Sequence, residues 1–352
     1  MRSNPGREDR LMSNTKWYES DGRNHEIVLS SKAVITRNLK GYKFPSKMDL
    51  ADKDEVISKV SEVLSDRNLK LYALDGMSDV ERDDLIDSQV YSDSGLFEDF
   101  EGKALLVNDN KSLSVLLNDR DHIKIKAQAS GYTNSVYKMC EDVACEIEKK
   151  MDIAFSSKYG YLGSSVQNTG LGFRLLYTIA IPGIVRTGDG LEILAEKVKS
   201  LDWHLYPFVQ QDRSGKCDVY IISSTTALGA DEATVLMSGD RLIKEIIKIE
   251  NICRDNLRKS RNDLIENNFY RSYGILYYSK MIDPFEALDL LSWIRLYHGF
   301  ENKNEVSIDW RQINMMTSQL LWSVLPQRSK DGNYTVDGKY LAARIARILR
   351  NQ

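Results

Sequence analysis

The amino-acid sequence predicts an α+β protein in which a largely antiparallel sheet is flanked by helices and followed by a C-terminal all-helical domain. Strand-like runs cluster in the first two thirds of the chain, with helical patterns between them but without strict strand–helix alternation. After Gly229 only helical patterns with dense charge follow. The length of 352 residues suits two domains, because single domains usually hold about 100–200 residues.

The individual elements follow from residue type and spacing. Runs rich in β-branched and aromatic residues predict strands at 26–35, 103–107, 115–117, 122–127, 175–181 and 219–223. Apolar residues at three- and four-residue spacing predict helices at 54–64, 79–89, 134–151, 191–201, 230–268, 284–297, 310–322 and 339–349. Trp293, Trp310 and Trp322 lie on apolar faces of the last helices, so we expect them in a core.

Three parts of the chain are expected. Residues 1–16 are polar, lack the apolar stretch of a secretory signal, and are predicted to form a disordered arm. Residues 17–255 then form the sheet-containing domain and residues 256–352 the helical domain. Pro, Gly and polar breaks separate the helical patterns of the second part.

Composition excludes several classes of function. The net charge of −3 gives no basic field for nucleic acid, and no apolar run approaches the roughly 20 residues that span a membrane. No GxxxxGK[ST] motif is present, so a Walker-type nucleotide site is excluded. The four cysteines form no CxxC pair and the histidines are scattered, which predicts no metal site and reduced thiols in the cytoplasm.

Blocks of residues along the chain match one family in order and spacing. They are residues 25–32 with 36–39, where the family reads SSRxRxxRN; 118–125, NEEDHxRI; 159–162 with 168–174, FGYLTSCPTNxGTGLR; 222–229, IS…LG; and 271–276 with 286–292, RSYGIL…EALxLLS. Residues 17–300 thus resemble the bacterial protein-arginine kinases of the ATP:guanidino phosphotransferase (phosphagen kinase) superfamily. The last block is foreign to the metabolic phosphagen kinases, so that branch fits less well. The resemblance implies a guanidino kinase, glutamine synthetase-like catalytic domain.

The resemblance also implies ATP, with Mg²⁺, as phosphoryl donor and an arginine guanidinium as acceptor. Family members hold the ATP phosphates with five arginines, and those positions here carry Lys32, Val34, Lys124, Arg174 and Tyr206. Lysine binds phosphate as a point charge and lacks the planar fork of arginine. If nucleotide binding is retained, we expect Lys32, Lys124 and Arg174 to contribute to it with reduced affinity.

Of the other positions that the family places near the nucleotide, some are retained and one is replaced. A family histidine falls at Gln89, whereas His122 is retained and is a further nucleotide-binding candidate. A buried histidine satisfied by backbone is the alternative for His122. Asn168, Gly170 and Gly172 are also retained, and two interpretations stay open for them: phosphate contact, or a tight turn that needs positive φ.

The catalytic acids of the family are replaced. Phosphoryl transfer to a guanidinium needs a carboxylate that accepts its proton and a second that orients the planar group. Arg120 and Gln211 occupy these two positions, and Ser165 occupies that of a family cysteine whose thiolate meets the guanidinium. The sequence therefore predicts a dead or impaired enzyme. The alternative is an active kinase that uses a neighbouring acid from among Asp119, Asp121 and Asp212.

The C-terminal region bears on phosphoarginine and partners. Family members bind phosphoarginine through an RDxxRA motif, of which Asp337 is a match without its arginines, and Arg271 matches the RSYGIL arginine. These two residues are the phosphoarginine-binding candidates. The resemblance suggests an active kinase paralogue, a kinase activator or a chaperone–protease component as partner, and a homodimer as assembly.

Overall fold

The computed structural model describes residues 18, 21–78, 81, 85, 88–90, 100–208, 218–225, 231–300, 306–323 and 338–350. Its strands are β1 (Val28–Arg37), β2 (Lys70–Ala73), β3 (Ala104–Val107), β4 (Leu113–Leu117), β5 (Ile123–Ser130), β6 (Phe155–Ser156), β7 (Gly160–Tyr161), β8 (Phe173–Ala180), β9 (Trp203–Pro207) and β10 (Val219–Ser224). Over the described residues, eight of them form one antiparallel sheet in the order β2-β3-β4-β5-β1-β8-β10-β9. β6 and β7 form a separate ribbon.

The two faces of the sheet differ because side chains alternate along each strand. On β1, Ala33 and Ile35 are buried in the main hydrophobic core, whereas Lys32, Val34 and Thr36 point to the opposite face. β1 is central and pairs with β5 on one side and β8 on the other. The opposite face of the sheet is therefore where polar side chains from three adjacent strands meet.

Helices cover the core face and build the second part of the chain. They are α1 (Leu50–Val63), α2 (Ser135–Lys150), α3 (Pro182–Val185), α4 (Gly190–Ser200), α5 (Glu232–Tyr278), α6 (Pro284–His298), α7 (Trp310–Ser323) and α8 (Gly338–Leu349). Buried residues of α2 at three- and four-residue spacing, such as Val136, Cys140 and Ile147, pack with the strands into the main core.

The long helix α5 links the two parts. Asp231 caps its N-terminus, and its first half packs in the main core through Leu242 and Ile246. Its backbone leaves helical geometry at Arg261, where φ is −144° and ψ is 28°. Beyond this kink, Phe269 joins a second core with α6, α7 and α8. The predicted boundary between residues 255 and 256 thus falls inside α5, shortly before the kink.

The predicted α+β class with a C-terminal helical region is confirmed. The six predicted strands are present with shifted ends, but two further strands of the sheet, β2 and β9, were not predicted. Both are edge strands with partly exposed residues and so lack a clear apolar signal. The long helix predicted to end at residue 268 runs to Tyr278.

Some predictions concern residues that are not described. The disordered arm at 1–16 lies outside the described residues, as does most of the helix predicted at 79–89. None of the helices over the described part of the chain is long and apolar enough to cross a membrane.

Candidate functional site

Four cationic side chains come from the three central strands to one face of the sheet. Lys32 lies on β1, Lys124 and Lys126 on β5, and Arg174 on β8. In the register, Val34 lies opposite both Lys126 and Arg174, so an apolar side chain separates two cations. The structure thus brings together the three cations predicted from the sequence, Lys32, Lys124 and Arg174.

Lys32 is buried and its charge is poorly solvated. The residue is 9% exposed, and its Nζ donates a 2.6 Å hydrogen bond to Oε1 of Gln89. Burial lowers the pKa of Lys32 to about 8, because removal from water disfavours the charged form. Lys32 is therefore mostly protonated at neutral pH and loses its charge only slightly above it.

Gln89 bonds to two lysines of this cationic face. Its Nε2 donates to Oγ of Ser318 on α7 at 3.0 Å, and its backbone oxygen accepts a hydrogen bond from Nζ of Lys126. Its φ of +57° is uncommon for a residue with a side chain. One residue thus binds two lysines of the cationic face and the helical part of the chain.

Arg174 is joined to a turn through its guanidinium. Its Nη2 lies 3.4 Å from Oδ1 of Asn168, and Nδ2 of Asn168 donates to Oδ2 of Asp121 at 2.7 Å. Gly170 and Gly172 have φ of +116° and +58°, and a Cβ on Gly172 would lie 3.0 Å from the backbone oxygen of Thr36. The tight-turn interpretation of the two glycines is confirmed.

His122 is buried with both ring nitrogens engaged by backbone. Nδ1 accepts from the Leu39 N–H at 3.2 Å, and Nε2, 2.8 Å from the Lys43 carbonyl oxygen, is then the donor. Burial lowers the pKa of His122 below its ordinary value, and Phe44 stacks on the ring. The ring is therefore neutral at pH 7 and holds the loop after β1, as the structural alternative expects. Its assignment to nucleotide stays a prediction.

The acids beside Arg120 are committed to other groups. Oδ1 of Asp121 accepts hydrogen bonds from Nδ2 of Asn38 and the backbone N–H of Ser164, both at 2.7 Å, in addition to the bond from Asn168 at Oδ2. Oδ1 of Asp119 lies 3.5 Å from Nζ of Lys103, and both side chains are largely buried. Arg120 itself is exposed. The three hydrogen bonds that Asp121 accepts, and the contact of Asp119 with Lys103, would compete with binding of a substrate guanidinium by these acids.

Of the remaining predicted site residues, one lies at the edge of the cationic face, two lie off its strands, and three lie outside the described chain. Ser165 is exposed in the turn before β8, and Arg271 is exposed on α5. Tyr206 lies on the edge strand β9 opposite Ile221, which pairs with Thr178 of β8, so its side chain is on the same face of the sheet as Arg174. Gln211, Asp212 and Asp337 lie outside the described residues. Over the part of the chain that is described, no group of three or more His, Cys, Asp or Glu side chains could hold a metal ion.

Two features of the site were missed from the sequence. Lys126 lies two residues after Lys124 on the same strand, so strand alternation alone places it on the same face. That signal was available. The contact between Gln89 and Ser318 joins residues 229 positions apart and has no local signature.

Comparisons with known proteins show the family to which the chain is related. The family description "ATP:guanido phosphotransferase, C-terminal catalytic domain" matches residues 53–253. Similar curated proteins include a protein-arginine kinase of Pelotomaculum thermopropionicum, 29% identical over 310 residues and 86% of each chain. Another is a protein-arginine kinase of Clostridium novyi, 25% identical over 338 residues, covering 94% of this chain and 97% of that one.

Solved structures support the fold. A duplicated taurocyamine kinase from Schistosoma mansoni, with bound transition state analog components, matches with a TM-score of 0.57 at 21% identity. That match covers 67% of this chain and 34% of the other, so the present chain spans about a third of the duplicated protein. A lombricine kinase matches with a TM-score of 0.56 at 17% identity, covering 68% of this chain and 69% of that one.

Proposed function

Because this chain belongs to the ATP:guanido phosphotransferase family, as a divergent relative of the protein-arginine kinases, we propose that it is a guanidino-kinase-like protein with dead or strongly impaired catalysis that acts by binding. The observation that carries the proposal is the exposed Arg120 at the position of the family's catalytic carboxylate, between two acids that are already engaged. The second carboxylate position holds Gln211.

Proton transfer is the step that this arrangement does not support. A guanidinium keeps its proton at any physiological pH, so it becomes a nucleophile only when a base removes that proton. Asp121 accepts three hydrogen bonds and Asp119 faces Lys103. Loss of a general base costs on the order of 10²- to 10⁴-fold in rate.

Anion binding is the property that the cationic face supports. Lys32, Lys124 and Arg174 line one face, which fits the phosphates of ATP, whereas Gln89 already accepts a hydrogen bond from Lys32. We therefore propose weak ATP binding, with Gln89 competing for the cation. Mg²⁺ would enter with the nucleotide, bound to its phosphates.

A second candidate function is an active protein-arginine kinase with a rearranged site. The observation in its favour is a chain of two hydrogen bonds that runs from Asp121 through Asn168 to Arg174. It connects one carboxylate to the retained arginine. A substrate guanidinium that displaced Asn168 could then meet Asp121. This candidate predicts that activity depends on Asp121 and not on Arg120.

The two candidates are separated by phosphorylation of an arginine-rich protein with ATP and Mg²⁺, read as acid-labile phosphate. We expect no incorporation above background by the natural chain. The double change Arg120→Glu with Gln211→Glu should raise incorporation. Clear activity of the natural chain that is lost on Arg174→Gln and kept on Arg120→Gln would overturn the impaired-enzyme proposal.

A protein that acts by binding must have a partner to bind. We propose a cytoplasmic protein that forms a homodimer and associates with an active kinase paralogue, a kinase activator or a chaperone–protease component. The support is family likeness alone. Light scattering of the purified chain and co-purification with each tagged candidate test this part, and a monomer that retains none of them would contradict it.

A further inference from the structure

A cleft of about 320 Å³ lies beside the kink of α5, away from the cationic face of the sheet. It is bounded by the residue that follows α3, by α5 on both sides of the kink, and by α6. Its polar wall and part of its apolar wall are formed by Arg186, Arg261, Asp289, Trp293, Leu257 and Ile265. A volume of this size is within the range of small-molecule sites, about 300–1,000 Å³.

Arg186 is held in this wall with unused hydrogen-bonding capacity. Its guanidinium carbon lies 4.1 Å from the centre of the Trp293 ring, and its Nη2 lies 3.6 Å from Oδ1 of Asp289. The side chain is only 9% exposed, and its Nη1 is buried without a hydrogen-bond partner. Buried guanidinium groups are normally saturated with acceptors, so the guanidinium of Arg186 has capacity for an acceptor besides Asp289.

The charge and polarity of the walls define the kind of ligand. Two arginines, Arg186 and Arg261, face one acid, Asp289, which leaves one net positive charge. A monoanion matches that charge, whereas a phosphate dianion would exceed it. Leu257 and Ile265 are buried apolar side chains that suit an apolar body.

We propose that this cleft binds a small amphipathic monoanion, a carboxylate carried on an aliphatic or aromatic body. The carboxylate accepts from the guanidinium of Arg186 and meets Arg261 at the rim, while the body packs along Leu257, Ile265 and the edge of Trp293. The site shares no residue with the cationic face, so this proposal does not depend on the proposed function.

The position of the cleft gives such a ligand a structural effect. Arg186 directly follows α3, whose first amides are bound by Glu250 of α5, and α3 itself follows the strand that carries Arg174. A ligand in the cleft touches α5 on both sides of its kink at Arg261 and the connection to the sheet. Binding therefore stiffens the junction between the two parts of the chain.

The test uses phenylacetate and its neutral counterpart phenylacetamide on the full chain. The indole N–H signal of Trp293, assigned by its loss in Trp293→Phe, is followed in ¹⁵N-correlated spectra. We expect phenylacetate to shift this signal with saturation and to raise the melting temperature, and phenylacetamide to do neither. Arg186→Gln should weaken binding at least about tenfold, because a charge-assisted hydrogen bond is lost.

Controls keep the outcome interpretable. Arg241→Gln removes an exposed arginine from the same helix and should leave phenylacetate binding unchanged. Leu264→Trp fills the rim of the cleft without replacing Arg186 and should block binding even if Arg186→Gln proves unstable. No saturable shift up to about 10 mM, equal binding of phenylacetamide, or equal binding of inorganic phosphate would each overturn the proposal.

Discussion

Lys32 and Ser318 are joined through a single side chain, the amide of Gln89, although they lie 286 positions apart. The amide oxygen accepts from Lys32 on β1 and the amide nitrogen donates to Ser318 on α7. The helical part of the chain therefore contacts the cationic face of the sheet through a residue that also competes with any anion for Lys32.

Removal of the Gln89 side chain is expected to strengthen anion binding at this face. Gln89→Gly deletes the acceptor for Lys32 and relieves the positive φ of +57°. The anion would then no longer compete with the Gln89 amide for Lys32. Because a hydrogen bond contributes roughly 0.5–1.5 kcal/mol net, the affinity for tripolyphosphate should rise about two- to tenfold. Calorimetric titration measures this change.

Ser318→Ala is the matched control for Gln89→Gly. It removes the donor's partner on α7 and leaves the bond between Gln89 and Lys32 intact. We expect a smaller change in tripolyphosphate affinity. Unchanged affinity in Gln89→Gly would mean that Lys32 does not belong to the anion-binding face.

The buried charge of Lys32 should make the stability of the fold depend on pH. Its folded-state pKa of about 8 lies below the ordinary value of 10.5, so the unfolded chain binds more protons between these values. The contribution of Lys32 to stability therefore rises with pH, by on the order of 2 kcal/mol between pH 7.5 and 9.5, whereas Cys140 and Cys253, whose pKa values are raised by burial, act in the opposite direction. Lys32→Met should lack this pH-dependent gain in the free energy of unfolding. Denaturant titrations of both chains at pH 7.5 and 9.5 measure it.

The comparison of the two chains at both pH values isolates Lys32 from other groups. Tyrosines and thiols whose pKa values are raised in the fold also affect the pH dependence, but they are the same in both chains and cancel in the comparison. The same pH dependence in the natural chain and in Lys32→Met would contradict the assignment of a lowered pKa to Lys32.

Asp121 should contribute to stability through its three donors and not through catalysis. Asp121→Asn places an amide nitrogen among donors from Asn38, Ser164 and Asn168, and at least one is left unsatisfied. Each unsatisfied buried group costs about 1–3 kcal/mol of unfolding free energy. Thermal and denaturant unfolding are the measurements.

The control for Asp121→Asn is the same exchange at an exposed ion pair. Asp142 lies 2.9 Å from Lys138 on the surface of α2, and Asp142→Asn should change the unfolding free energy by less than about 1 kcal/mol. Equal losses in the two variants would mean that the hydrogen bonds of Asp121 are not specific contributors.

The sequence predicted the parts of the fold that follow local patterns. The alternation on β1 and the helical spacing on α2 gave both elements to within a few residues, because each buries one continuous face. The edge strands β2 and β9 were missed because their residues are partly exposed and carry no apolar alternation of this kind. The kink at Arg261 likewise has no Pro or Gly to mark it.

The site was predicted only as far as the strand positions allow. Lys32, Lys124 and Arg174 reach one face because register follows from strand pairing. The partners of Asp121 and the bridge made by Gln89 depend on contacts between distant segments, which no local pattern encodes. The pocket at Trp293 was hidden for the same reason, since the spacing of its apolar neighbours predicted a core position.

Glu250 should be the side chain whose neutralisation most weakens the junction between the two parts of the chain. It is fully buried on α5, accepts the backbone N–H groups of Gly183 and Ile184 at 2.9 Å, and accepts Nε of Arg254 at 2.6 Å. Glu250→Gln keeps the shape but turns one acceptor into a donor and leaves Arg254 without its counter-charge. We expect a loss of about 3–5 kcal/mol in unfolding free energy.

The matched control is Glu245→Gln. Glu245 lies on the same helix as Glu250 and forms a half-exposed ion pair with Lys197 of α4, so this change should cost less than about 1 kcal/mol. Because α3 follows β8, hydrogen exchange of the α3 amides should accelerate in Glu250→Gln and stay unchanged in Glu245→Gln; equal protection in both would show that the carboxylate does not hold α3.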